Sequence, residues 1–142
     1  MAYATIADLI QRYGEDELIQ RSDRRAGRIR DDVVINQALA DASAEIDSYL
    51  ASRYSLPLSG VPDVLVRLCC DVARYRLWAD KVTEIVRTRY EDAVRQLKDI
   101  ARGQATLGIA PEHTPLPPSV GVLGRSARRV FGNGVGNLLA GR

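Results

Sequence analysis

At 142 residues, 46% hydrophobic and 27% charged, the chain has the makings of one ordinary globular domain with a core of its own, needing no metal or disulfide to hold it. Twenty Lys and Arg against 18 Asp and Glu leave a formal charge of +2, too small for the dense basic face expected of a duplex-binding protein. No apolar run approaches the roughly 20 residues of a membrane span, and Met1-Ala2-Tyr3-Ala4 lacks the basic and apolar regions of a signal peptide, so neither a membrane partner nor export is expected.

Taken in chain order, the elements read as helices. Thr5-Ile6-Ala7-Asp8 has the form of a capping box, and Ile6, Leu9, Ile10 and Tyr13 form one apolar stripe after it. Gly14 is the natural stop, and Glu15, Asp16 and Glu17 put acid in the first turn of a second short helix. Ser22–Arg30, with Gly27 and several arginines, reads as a loop. Asp31 and Asp32 open a first long helix over about 32–53, with Ile35, Leu39, Ala42, Ile46, Tyr49 and Arg53 spaced as one buried face. Pro62 suits the first turn of a second long helix over about 62–80, whose inward residues are Leu65, Leu68, Val72, Tyr75, Ala79 and Val82. Thr83 and Glu84 begin a third, with Val86, Tyr90, Ala93, Leu97 and Ile100 inward, and Gly103 ends it.

Beyond Gly103 the composition changes. Pro111, Pro115, Pro117 and Pro118 disfavour a packed element, and Gly132, Gly134, Gly136 and Gly141 loosen the last stretch of chain. Arg125, Arg128, Arg129 and Arg142 face a single acid there, Glu112, and Val130, Phe131, Leu138 and Leu139 supply apolar anchors. A terminus without a role is the simpler reading. Docking onto a partner is preferred, because anchors and arginines occur together and an arm of this kind orders by lying on another surface. The expected fold is therefore all-α: a small bundle of three long helices preceded by two short ones (residues 1–103), with an extended, irregular, basic C-terminal arm (residues 104–142).

No constellation of catalytic residues emerges, and no enzymatic activity, cofactor or metal is expected. His113, the one histidine, sits among prolines and reads as a solvent-exposed loop residue. Cys69 and Cys70 are adjacent, a geometry that strains a mutual bridge, and read as reduced, buried, small apolar residues in a protein made in a reducing cytoplasm. Gly132-Asn133-Gly134-Val135-Gly136 has neither the preceding strand nor the lysine of a phosphate-binding loop. Carboxylate pairs such as Asp31-Asp32 and Glu91-Asp92 read as solvated or dipole-complementing charge. Arg24, Arg25, Arg28 and Arg30 form the densest basic cluster, read first as a solvated loop and next as a patch against an acidic neighbour or a second subunit. Tyr75, Trp78 and Tyr90 read as core or inter-subunit packing. A small helical nucleic-acid-binding regulator, using those arginines or the tail, is the alternative.

Three blocks of sequence resemble a specific family. Tyr3 through Gln20, in particular Tyr3-Ala4-Thr5-Ile6-Ala7-Asp8-Leu9-Ile10, is similar to the opening of a family of Mu-like phage and prophage proteins. Asp47-Ser48-Tyr49-Leu50-Ala51-Ser52-Arg53-Tyr54 followed by Leu56-Pro57-Leu58 resembles its next block, and Pro62 through Ala79, with Asp71, Ala73, Tyr75 and Leu77, its following helix. The resemblance spans about residues 3–102. It implies a virion protein of the neck, similar to the helical head–tail adaptors that form a dodecamer-like ring beneath the portal around the DNA channel. Implied partners are further copies of the chain, the portal and a tail-side stopper or tail terminator protein, with the channel DNA close by. Arg129-Val130-Phe131 resembles the Arg-Val-Phe that opens the terminal stretch of such proteins, which implies that Arg125, Arg128, Arg129, Val130, Phe131, Leu138 and Leu139 dock on a neighbouring ring. In this chain Gly132-Asn133-Gly134 comes next, a departure from the family tail.

Overall fold

A computed structural model describes residues 2–23 and 25–109. Among them the fold is all-α, with five helices: α1 (Ile6–Tyr13), α2 (Glu15–Ser22), α3 (Asp32–Leu50), α4 (Asp63–Trp78) and α5 (Glu84–Ala101).

Side chains satisfy the orphan amides at three of the helix starts. The Thr5 hydroxyl accepts from the Asp8 amide while the Asp8 carboxylate accepts from the Thr5 amide, a reciprocal box that fixes α1. Asp31 caps α3 by accepting from the Val33 and Val34 amides, and Thr83 caps α5 through the Val86 amide. Gly14, at φ +89°, ends α1 and begins α2 in one residue, a conformation that a side chain would oppose.

The three long helices pack on one another, and α1 and α2 pack against α3 and α4. Ile35, Leu39, Ala42, Ile46 and Leu50 of α3 meet Leu65, Leu68, Val72 and Ala73 of α4 and Ala93, Leu97 and Ile100 of α5 in one core, which Leu9 and Leu18 join from the short helices. Burying a leucine contributes about 1.5–3 kcal/mol, so this one cluster dominates the stability of the body. Tyr3 and Ala4, ahead of α1, are buried too, and the Tyr3 amide donates to Ser43 Oγ at 3.1 Å. Cys69 and Cys70 are fully buried free thiols.

Helix ends differ from the periodicity. The first long helix stops at Leu50, so Arg53 lies beyond it; Leu50 and Tyr54 take the inward places, while Tyr49 is half-buried. The second stops at Trp78. Ala79 is exposed at φ +50° and opens a single 3-10 turn to Lys81, and Val82 is only half-buried. Both overestimates have one cause: the apolar rhythm runs on past the last helical residue into chain that is no longer helical. Residues after Gly103 return to the core, with Leu107 buried in it and Ala105 and Ile109 packed against it. Residues 110–142 lie outside the described residues, and with them most of the expected arm.

Candidate functional site

The arginine loop is built around one carboxylate. Asp23 Oδ1 accepts from the amides of Arg25 and Ala26 at 3.1 and 3.3 Å, and Oδ2 from those of Arg28 and Ile29 at 3.0 and 3.1 Å. Four backbone donors hold the Asp23 carboxyl down to about 2, below the ordinary aspartate range. Asp23 is thus the hub of the loop. The loop in turn presents Arg25, Arg28 and Ile29 to solvent. Arg30 does not join them. Its Nε donates to Asp32 at 2.6 Å and its Nη1 to Glu15 at 2.8 Å, a bridge that ties α2 to the start of α3. Arg24 lies outside the described residues, as do Arg125, Arg128, Arg129, Val130, Phe131, Leu138, Leu139 and His113.

A second set of charged residues carries the attachment of α1 and α2 to the bundle. Tyr13 donates to the buried Asp71 at 2.5 Å, and burial against that carboxylate pushes the phenol pKa well up. Arg74 grips Glu17 with two bonds of 2.8 Å and lies over the Tyr13 ring at 4.2 Å. Trp78 Nε1 also donates to Glu17, while Arg21 stacks over the indole at 4.0 Å. On the other flank Tyr90 stacks on Tyr75 with centroids 4.0 Å apart and donates to Glu45, which pairs with Arg76. Tyr3 donates to Asp47. These aromatics therefore pack within the chain, and the Tyr3, Tyr13 and Tyr90 hydroxyls and the indole NH each reach a carboxylate.

Three surface features remain. A cleft of about 390 Å³ is lined by Arg12, Tyr13, Arg67, Asp71, Arg89 and Asp92. Arg12 and Arg89 have no ion-pair partner among the described residues, whereas Asp92 pairs with Arg95. A groove of about 370 Å³ runs between α3 and the end of α4, with Val33, Val34, Ala38 and Leu77 as its apolar lining. Among the described residues the large exposed apolar ones are Ile29, Val33, Val61 and Ile85.

Nothing in this arrangement resembles an activated nucleophile. Burial lifts both thiols, that of Cys70 to about 12, so they stay protonated near neutrality. Among the described residues no three His, Cys, Asp or Glu side chains stand together as a metal-holding group, and no helix is long and apolar enough to cross a membrane.

The chain matches the family model described as Bacteriophage Mu, Gp36, over residues 3–123. It belongs to that family. Among its relatives, the Mu-like prophage FluMu protein gp36 of Haemophilus influenzae is 39% identical over 130 residues, which cover 92% of both chains. Gene product J of Escherichia phage Mu is 44% identical over 110 residues, 77% of this chain and 78% of that protein. The protein is thus of Mu-like phage type. The match starts at Tyr3, whose hydroxyl and amide both anchor to α3, and extends beyond the described body into the proline-rich stretch.

Proposed function

We propose that this Gp36-family protein is a head–tail connector subunit, a structural protein without catalytic activity that forms a ring below the portal in the neck of the virion. The body supports this reading through one observation above others. It packs a core, yet leaves large apolar side chains exposed on different elements: Ile29 and Val33 where the loop meets α3, and Ile85 at the start of α5. A ring is a closed series of head-to-tail contacts, and each subunit needs two different surfaces for it. The blocks resembling the Mu-like phage family are also ones that build the body: Tyr54 and Leu58 are buried, and Asp71 anchors α1.

In this reading Arg125, Arg128, Arg129, Val130, Phe131, Leu138 and Leu139 dock on the portal, and a stopper or tail terminator protein lies on the tail side. A phage carrying the chain without residues 125–142 tests it. The expected result is filled heads and free tails that do not join, from a protein whose helicity is unchanged. Normal joining by that phage would refute the docking role.

A further inference from the structure

We propose that the flank of α5 that carries Ile85 and Arg89, beside the cleft that Arg89 lines, seats in the α3–α4 groove of a second copy of this chain. The inference rests on the ring reading above and names the two surfaces that meet.

The groove side is marked by a scarcity of charge. α3 has 19 residues and no Lys or Arg. Past its first turn the exposed positions are Asn36, Gln37, Ala40, Asp41, Ala44 and Ser48, so Asp41 is the one ionised group on that face. An outer helix face in water normally carries mixed charge, as α5 does with Glu84, Arg87, Glu91 and Lys98. Loss of charge together with exposed apolar side chains is the composition of an interface centre. Val33, 79% exposed, lines the groove together with the half-buried Val34, the buried Ala38 and Leu77, and Asp41. Arg76 also borders the groove, but its guanidinium is held by Glu45 at 2.6 Å. The carboxylate of Asp41 accepts from the Gln37 side-chain amide at 2.9 Å and pairs with no cation among the described residues.

The α5 side complements it. Ile85 is 66% exposed, and Arg89 lies one turn further on the same side of the helix. Arg89 has no ion-pair partner among the described residues. An apolar knob followed one turn later by such a cation faces an apolar lining that includes a carboxylate of the same kind. Because the two surfaces belong to different elements of one chain, each copy can offer its α5 face to one neighbour and its groove to another, the head-to-tail repeat that a closed ring requires.

Charge swapping tests this on the full chain, by sedimentation and light scattering across protein concentration and salt. The wild type is expected to assemble beyond a dimer, less so as salt rises, since exposed pairs are screened. Asp41→Arg sets Arg against Arg89, and Arg89→Glu sets Glu against Asp41. Each alone should weaken assembly on the order of tenfold or more, with helicity unchanged, as reversing a close interfacial charge does. Combining the two changes in one chain should restore it. Ile85→Ser should weaken assembly with no rescue by either charge change. Assembly that survives both single reversals, or reversals that the double variant does not rescue, would assign the contact to other surfaces and leave the ring reading standing. A wild type that stays monomeric at every concentration would overturn the proposal, and the joining test with the shortened chain would then decide the connector role separately.

Discussion

Asp23 is half-buried at the end of α2, and its carboxylate holds the loop between α2 and α3 by accepting four amides. Its folded pKa, about 2, lies below the ordinary aspartate value of about 3.9. A carboxyl depressed in this way stabilises the fold fully above the unfolded value and ceases to do so as pH falls through the folded one. Asp23→Ala is therefore expected to lower the melting temperature by a constant amount above about pH 4, and that difference should shrink towards pH 2. Thermal melts of both proteins across this range measure it; a difference that persists undiminished at pH 2 would show that the carboxylate does not organise the loop. The side chain could be anticipated only in part. An aspartate shortly before Gly27 is a turn signal, but four amides on one carboxylate is a property of the folded loop. Tyr13–Asp71, Tyr3–Asp47 and Tyr90–Glu45 were less legible still, since 58, 44 and 45 residues separate the partners and no local pattern relates them.

Helix starts were legible because capping is local. Thr5, Asp31 and Thr83 each sit within three residues of the amides they satisfy. Helix ends were less so, as at Leu50 and Trp78, where the apolar rhythm continues into chain that is not helical. The end of α5 is the exception, because Gly103 signals it and the fold uses that glycine twice. At φ +80° Gly103 lets the Gln104 amide reach back to the Asp99 carbonyl at 2.8 Å, closing the last turn. The Arg53 guanidinium, from just past α3, also lies in the space that a Cβ would occupy, with Nη1 only 2.5 Å from that position. Gly103→Ala should accordingly cost about 1–2 kcal/mol from the left-handed backbone, with a small further loss as the flexible end of Arg53 moves aside. Urea denaturation gives the value. Arg53→Ala in the same background separates the two contributions, since it should relieve the crowding and leave the backbone strain. A Gly103→Ala protein as stable as the wild type would mean that neither the turn nor the close approach matters.

At the scale of the whole molecule, the question is where the folded body ends. Composition places the change at Gly103, where the helical periodicity stops and the prolines begin. The core does not stop there. Leu107 is 5% exposed within it, and Ala105 and Ile109 pack against its edge. One isolated leucine carries no periodicity, which is why no pattern in the residues marks it. The core from Tyr3 to Leu107 is complete among the described residues, so a chain ending at residue 109 should fold alone and melt in one cooperative transition. A chain ending at 103 loses Leu107 and its two neighbours and leaves apolar surface of the core uncovered. Removing one buried leucine costs about 2–5 kcal/mol when a cavity remains, and less where the site lies at the edge and water can enter. The shorter chain should therefore be about 2–3 kcal/mol less stable than the longer one, a large share of the roughly 5–15 kcal/mol typical of a domain. Leu107→Ala in the 109-residue chain should reproduce most of that loss. Equal midpoints in urea for the two truncated chains would place Leu107 outside the working core and return the boundary to Gly103.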